Sequence, residues 1–125
     1  MQSKIFSFFS GAGFLDLGFE SHGFQVASAN EIYEPFAEAY SGSRSAMAID
    51  GPIFGLDVDT IESYFERTKL ATLKGQIRDL NRNGDISGFI GGPPCPDFSV
   101  AGKNAGKDGE NGRLSKSYID LVIET

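Results

Sequence analysis

The feature that most constrains the fold of this sequence is an apolar run that stops at two closely spaced glycines. Four of the six residues 4–9 are Ile or Phe, and residues 10–13 read Ser-Gly-Ala-Gly. From residue 14 onward the apolar positions recur at the spacing of a helix. The segment therefore predicts a strand, a tight glycine turn and a helix.

The same order is repeated along the chain. Residues 24–29 predict a second strand, and residues 35–40 predict a helix with a proline in its first turn. Residues 41–55, rich in Gly, Ser and Pro, are typical of a loop. Ile61, Tyr64 and Phe65 share one helical face.

Residues 87–91 are the last strand candidate, and residues 114–123 again show helical spacing. Strands that alternate with helices predict an α/β fold with a mostly parallel sheet and helices on both faces. Ligands of such folds bind at the carboxyl ends of the strands.

Composition and charge restrict the class of protein. A chain of 125 residues that is 40% hydrophobic suits one globular domain, and no apolar run reaches the roughly 20 residues of a membrane helix. The single cysteine and the absence of a secretory signal at the N-terminus favour the cytoplasm. The net charge of −6 disfavours a nucleic-acid partner. The charge is distributed unevenly along the chain, because residues 1–66 hold 2 bases and 10 acids (−8), whereas residues 67–125 hold 9 bases and 7 acids (+2).

The glycine turn at residues 10–13 suits an anion or a carboxylate, because the helix after it offers free N–H groups. It is not the dinucleotide-binding fingerprint, since Asp16 stands where the third glycine is required. It is not a phosphate loop either, since no Gly-Lys-Ser/Thr follows. A simple strand-to-helix turn is the alternative interpretation.

Glu31 follows the second predicted strand, 20 residues after Gly11. An acid at about this distance accepts hydrogen bonds from ribose hydroxyls in nucleotide-binding folds. Ile32 is then placed to cover a flat base. Alternatively, Glu31 only opens the next helix, where an acid interacts favourably with the helix dipole.

Residues 91–99 read Gly-Gly-Pro-Pro-Cys-Pro-Asp-Phe-Ser and contain Cys95. The prolines rigidify a turn directly after a strand, which is a suitable place for a nucleophile. A lone cysteine is more often a buried small hydrophobe, but these neighbours are poor core material and favour the nucleophile.

The loop over residues 99–113 is long, rich in glycine and basic through Lys103, Lys107 and Arg113. Such a loop can contact phosphates, although a solvated surface loop is equally consistent with its composition. His22, the only histidine, is interpreted as structural, and no cluster of ligands predicts a metal site.

Four motifs in this order resemble the cytosine carbon-5 DNA methyltransferases. They are residues 9–13 (Phe-Ser-Gly-Ala-Gly), Asn30-Glu31, residues 91–99 with the Pro-Cys signature, and Gly112-Arg113-Leu114. The resemblance covers nearly the whole chain and implies a Rossmann-like fold that binds S-adenosylmethionine. It also implies methyl transfer to cytosine in double-stranded DNA, in a prokaryotic restriction-modification system.

The resemblance assigns roles to individual residues. Cys95 is implied as the nucleophile that adds to carbon 6 of a cytosine, which must first be flipped out of the duplex. Glu31 is implied as the ribose acceptor, and Ile32 as a cover for the adenine. Further cofactor-binding positions are implied at Phe9, Ser10, Gly11, Ala12, Gly13, Gln76 and Pro94. DNA contacts are implied at Ser99, Lys103 and Arg113.

Some positions depart from the family pattern. Gln76 falls where the family commonly has the aspartate of Gly-Asp-Ile, which accepts from the adenine amino group, and Asp79 is the fallback for that role. Pro96 stands where many members have glutamine.

The Glu-Asn-Val motif and the target-recognition region are absent from the chain, and Glu124 is not the glutamate of that motif. We therefore expect an amino-terminal fragment, inactive alone, of a longer enzyme or of one completed by a second chain. A transfer RNA cytosine-5 methyltransferase and a non-catalytic module for an adenine-containing ligand are the alternatives.

Overall fold

The computed structural model describes residues 3–93 and 110–125. In these ranges four strands alternate with helices. The elements are β1 (Ser3–Phe8), α1 (Phe14–Glu20), β2 (Gln25–Asn30), α2 (Glu34–Ala46), β3 (Leu56–Asp57), a 3₁₀ helix (Ile61–Phe65), α3 (Arg67–Arg82), β4 (Ile86–Gly91) and α4 (Glu110–Glu124). No helix in these two ranges is long and apolar enough to cross a membrane.

The four strands form one parallel sheet in the order β3-β2-β1-β4. The strand ends are level, because Phe8 pairs with both Asn30 and Gly91, and Asn30 pairs with Asp57. Strands β2 and β3 lie on one side of β1, and β4 lies on the other side. A crevice therefore opens at the carboxyl edge beside β1, where ligands of parallel sheets bind.

Alternation along β1 sends its side chains into two hydrophobic cores. Phe6 and Phe8 pack in the core that holds buried side chains of the 3₁₀ helix, α3 and α4. Ile5 packs in the second core, with Tyr40 of α2 and with Phe19 of α1. Helices therefore cover both faces of the sheet, which confirms the predicted α/β architecture.

Aromatic packing holds α4 against the carboxyl edge of the sheet. The ring centroid of Phe8 lies 5.2 Å from that of Phe89 and 5.7 Å from that of Tyr118. Gly91 ends β4 directly under Tyr118, where an added Cβ atom would lie 2.8 Å from Tyr118 Cζ. Only glycine leaves room for this crossing, so the strand end and α4 are fixed relative to each other.

The predicted loop over residues 41–55 is wrong at its amino end and right at its carboxyl end. Helix α2 continues to Ala46, and a two-residue strand begins at Leu56. Ser and Gly are weak helix formers, but the last turns of α2 are held by the buried Arg44, which forms an ion pair with Glu20. The predicted face of Ile61, Tyr64 and Phe65 is only partly confirmed, because Phe65 is 41% exposed.

Candidate functional site

A groove of about 370 Å³ lies at the carboxyl edge of the sheet. This volume is within the range of roughly 300 to 1,000 Å³ that is typical of small-molecule sites. The residues follow β1, β2 and β3 or begin α4. They are Phe9, Asn30, Glu31, Ile32, Asp59, Thr60, Ile61, Glu62, Arg113 and Leu114.

The glycine turn after β1 is held by backbone contacts and by a neighbouring ring. The Ser10 N–H donates to the Asn30 carbonyl at 3.1 Å, and the Gly13 N–H donates to the Ser10 carbonyl at 3.1 Å. Gly13 has a φ of 96°, and a Cβ atom there would lie 2.9 Å from Tyr40 Cδ2. The turn therefore needs glycine at residue 13 for its conformation and for its close contact with Tyr40.

Glu31 connects the second strand to this turn. Its Oε1 atom accepts a hydrogen bond of 2.8 Å from the Gly11 N–H, and its Oε2 atom accepts one of 2.8 Å from the Tyr33 N–H. The residue is 8% exposed. A carboxylate has about four acceptor positions, so about half of them remain for a ligand in the groove.

The alternative interpretation of Glu31, as the first-turn acid of the next helix, does not hold. Helix α2 begins at Glu34, and Glu34 is the acid in its first turn. Glu31 precedes the helix, and its carboxylate faces the glycine turn instead.

Two apolar side chains contribute to the groove from β1 and β2. Phe9, with a φ of 52°, packs its ring edge-on against Tyr118 at a centroid distance of 6.1 Å. Ile32 is 62% exposed although it lines the groove. An apolar side chain that is held at the surface of a groove is available to pack on a flat ring.

Asp59 is a groove residue that the sequence did not indicate. Asn30 Nδ2 donates to the Asp59 carbonyl at 3.0 Å and to Asp57 Oδ2 at 2.9 Å, which fixes the chain after β3. Lys69 Nζ lies 2.7 Å from Asp57 Oδ2 and 3.6 Å from Asp59 Oδ2. The only available signal was an acidic segment directly after a strand, but β3 has two residues and shows no periodicity.

The structure does not bring Gln76 to the groove. Gln76 lies in the middle of α3, and the groove lining does not include it. The fallback, Asp79, is exposed on the same helix beside Arg82, with 3.7 Å between Oδ1 and Nη1. Residues 75–77 continue helix α3, whereas the segment after β3 places Asp59 at the groove.

Within the predicted turn, Phe9 lines the groove and Ser10 faces away from it. Ser10 is buried, and its Oγ atom lies 2.9 Å from Ser7 Oγ. Gly11 reaches the site through its N–H group. Ala12 is half-buried and does not line the groove. Any contribution of Ser10 to a ligand in this groove would therefore come from its backbone.

The remaining predicted residues have two different outcomes. Pro94, Cys95, Ser99 and Lys103 lie outside the described residues. Arg113 lies at the rim of the groove, where its Nη2 atom is 3.4 Å from Glu62 Oε1.

Most of the charged side chains that line the groove are acidic. Glu31, Asp59 and Glu62 line it together with one base, Arg113. Such a lining attracts cations and offers acceptors to hydroxyl and amino groups. Among the described parts of the chain, no group of three or more His, Cys, Asp or Glu side chains could hold a metal ion.

The family profile and the relatives that match this chain are all described as DNA methylases or methyltransferases. The family profile described as C-5 cytosine-specific DNA methylase matches residues 3–125. The type II methyltransferase M.NmeDI of Neisseria meningitidis serogroup C is 58% identical over 123 residues, which are 98% of this chain and 29% of that protein. The DNA (cytosine-5-)-methyltransferase M.ApeKI of Aeropyrum pernix is 36% identical over 122 residues, 93% of this chain and 24% of that protein.

A solved structure supports the fold. The structure, described as a DNA modification methyltransferase encoded within an E. coli prophage, superimposes with a TM-score of 0.65 over 99% of this chain at 24% identity. The match covers 29% of that protein, so this chain spans less than a third of the length of each relative named here.

Proposed function

This chain belongs to the C-5 cytosine-specific DNA methylase family, and from that membership we propose that it is the amino-terminal, cofactor-binding part of a type II DNA (cytosine-5-)-methyltransferase. The methyl donor is S-adenosylmethionine, and the acceptor is a cytosine in double-stranded DNA in the prokaryotic cytoplasm. The observation that carries the proposal is the Glu31 carboxylate, which joins the glycine turn to β2 within an acidic groove.

The residues of the groove fit this cofactor. Phe9 and Ile32 supply apolar surface for an adenine ring. Glu31 has acceptor capacity left for ribose hydroxyls. The excess of carboxylates suits the positive charge of a sulfonium and of an amino group.

Asp59 is proposed for the role that the resemblance gives to the aspartate of Gly-Asp-Ile. It lies in the groove, its side chain is 52% exposed, and Lys69 and Asn30 hold the chain around it. Its carboxylate can accept a hydrogen bond from the amino group of adenine, which Gln76 cannot do from α3.

Cys95 is proposed as the nucleophile. Its Sγ atom forms a bond to carbon 6 of the flipped cytosine, which places an electron pair on carbon 5. Bound S-adenosylmethionine supplies the methyl group to that carbon. Loss of the carbon 5 proton to a base then returns the electron pair to the ring, and the bond between Sγ and carbon 6 breaks. In sequence, Cys95 follows four residues after Gly91, the last residue of β4, which pairs with Phe8.

Residues Ser99, Lys103 and Arg113 are proposed to contact the DNA backbone, since hydroxyl and basic side chains are typical phosphate ligands. The target base must leave the stack before Cys95 can reach carbon 6. The regions that choose the DNA sequence are proposed to lie in the rest of the enzyme, because this chain spans 29% of the length of M.NmeDI.

Isothermal titration with S-adenosylmethionine tests the cofactor site in the complete enzyme. We expect saturable binding, both by the wild type and by Cys95→Ser, because Cys95 is proposed to react with the cytosine and not to hold the cofactor. A wild-type enzyme that binds no S-adenosylmethionine would contradict the proposal.

Methyl incorporation tests the reaction. We expect transfer to duplex DNA and none to transfer RNA, and we expect Cys95→Ser to abolish transfer. DNA that carries 5-fluorocytosine should form a covalent adduct with the wild type and none with Cys95→Ser, because fluorine at carbon 5 cannot leave as a proton. Unchanged transfer by Cys95→Ser would overturn the assigned nucleophile, and transfer to transfer RNA alone would overturn the assigned substrate.

A further inference from the structure

A buried carboxylate that the proposed reaction does not use lies behind the glycine turn. Asp16, in the first turn of α1, is 0% exposed. Its Oδ1 atom accepts a hydrogen bond of 2.6 Å from the Ser7 hydroxyl, and its Oδ2 atom accepts one of 2.5 Å from the Tyr40 hydroxyl. Asp16 therefore links three elements, β1, α1 and α2.

Both hydrogen-bond partners of Asp16 contact the glycine turn. Ser7 Oγ lies 2.9 Å from Ser10 Oγ, at the first residue of the turn. The ring of Tyr40 packs on Gly13, at the last residue, so closely that a Cβ atom would lie 2.9 Å from Cδ2. A single carboxylate thus restrains both ends of residues 10–13.

The charge of this carboxylate is costly to bury. Burial raises the pKa of Asp16, the nearby Glu20 carboxylate also raises it, and the hydrogen bonds from Ser7 and Tyr40 and the charge of Arg44 oppose that shift. Arg44 forms an ion pair with Glu20, to which the Nη1 atom of Arg44 donates a hydrogen bond of 2.7 Å. The Arg44 guanidinium also lies 5.1 Å from the centroid of the Tyr40 ring.

Packing alone does not account for Asp16. Apolar residues of similar volume often fill such a site at equal or better stability than a buried charge. The distinguishing property of a carboxylate here is that it can accept from two hydroxyl groups at once and so orient both of them.

We propose that Asp16 is a positioning residue for the cofactor, which acts through Ser7 and Tyr40 to hold residues 10–13 in the conformation that presents Phe9 and the Gly11 N–H to the groove. This inference rests on the proposed function, because it concerns the affinity of the same site. Asp16 does not touch the cofactor itself. Its loss should weaken cofactor binding and leave the chemical step unaffected.

The variants Asp16→Asn and Ser7→Ala test the proposal in the complete enzyme. We expect each to raise the Kd of S-adenosylhomocysteine and the KM of S-adenosylmethionine by about tenfold, as befits loss of a hydrogen bond to a buried charged group, with kcat nearly unchanged. The double variant should bind little worse than Asp16→Asn alone, because Ser7 acts through its hydrogen bond to residue 16.

Lys4→Met is the matched control. Lys4 is buried at the amino end of β1, where its Nζ atom lies 3.5 Å from Asp85 Oδ2. Breaking this ion pair should lower the stability measured by urea denaturation, but the Kd should stay at the wild-type value because the pair is far along β1 from the turn.

Three results would overturn the proposal. They are a wild-type Kd in Asp16→Asn, an equal loss of affinity in Lys4→Met at equal stability, or a fall in kcat with an unchanged KM. If Asp16→Asn does not fold, Tyr40→Phe removes one of the two hydrogen bonds, keeps the ring on Gly13, and is judged by the same three results. Failure of the proposed function is distinct from these, since the wild type itself would then bind no S-adenosylhomocysteine.

Discussion

The Gly11 N–H donates a hydrogen bond of 2.8 Å to Glu31 Oε1, across 20 residues of sequence. This contact joins the glycine turn after β1 to the end of β2. The acceptor proposed for the ribose is therefore held in place by the same loop that is proposed to contact the rest of the cofactor. Such preorganisation lowers the entropic cost of binding.

We expect Glu31→Gln to raise the Kd of S-adenosylmethionine by about tenfold or more, because the amide replaces one acceptor oxygen with a donor that faces an N–H group. Isothermal titration measures the change. Glu34→Gln is the matched control, since Glu34 is an exposed acid three residues later in α2 and should bind as the wild type does. Equal losses in the two variants would count against a specific role of Glu31.

Asp59→Ala and Gln76→Ala separate the structural assignment of the adenine contact from the one that the sequence suggested. We expect Asp59→Ala to weaken binding of S-adenosylmethionine about tenfold, because an acceptor in the groove is lost. Gln76→Ala should have no effect, because Gln76 lies in α3 outside the groove. The opposite result in the same titration would restore Gln76 to the site.

Gly13→Ala should destabilise the fold by about 1–3 kcal/mol, because a methyl group would overlap the Tyr40 ring and the φ of 96° disfavours alanine. Gly18→Ala is the control within the neighbouring helix. A Cβ atom at Gly18 meets nothing within 4 Å, so this change should stabilise α1 by about 0.5–1 kcal/mol. Urea denaturation measures both free energies of unfolding, and a stable Gly13→Ala would show that the contact with Tyr40 can relax.

Asp16 should make the free energy of unfolding depend on pH. Burial raises its pKa above the ordinary value of 3.8, so the folded state binds this proton more tightly than the unfolded chain does. The resulting stabilisation is fully present below pH 3.8 and is lost as the pH rises through the raised pKa.

Urea denaturation of the wild type and of Asp16→Asn at a series of pH values checks this dependence. We expect the difference in unfolding free energy, wild type minus variant, to fall across that window and to become constant above it. A difference that grew with pH would mean that the hydrogen bonds from Ser7 and Tyr40 outweigh the cost of burial.

Arg113 has two candidate partners that can be separated by experiment. If it contacts a DNA phosphate, Arg113→Ala in the complete enzyme should lower the slope of log Kd for DNA against log salt by about 1. If its contact with Glu62 at 3.4 Å mainly closes the groove, the same variant should instead weaken binding of S-adenosylmethionine. Glu62→Gln is the companion variant, because it removes the partner and leaves the base.

The sequence by itself was sufficient for most of the local units and for several of the residues that line the groove. Apolar runs at residues 4–9, 24–29 and 87–91 predicted three strands, which the structure has at Ser3–Phe8, Gln25–Asn30 and Ile86–Gly91. Residues that follow these runs, Glu31 among them, were predicted as site residues. Local periodicity and turn chemistry are properties of neighbouring residues, so they can be read without the fold.

Only the tertiary structure decided which distant residues meet. A two-residue β3 carries no periodic signal, so the position of Asp59 in the groove depended on pairing with β2. Asp16 appeared in the sequence only as a missing glycine, yet it contacts Ser7, 9 residues earlier, and Tyr40, 24 residues later. Hydrogen bonds over such separations depend on how β1, α1 and α2 pack together, and that packing is a property of the whole chain that no local pattern records.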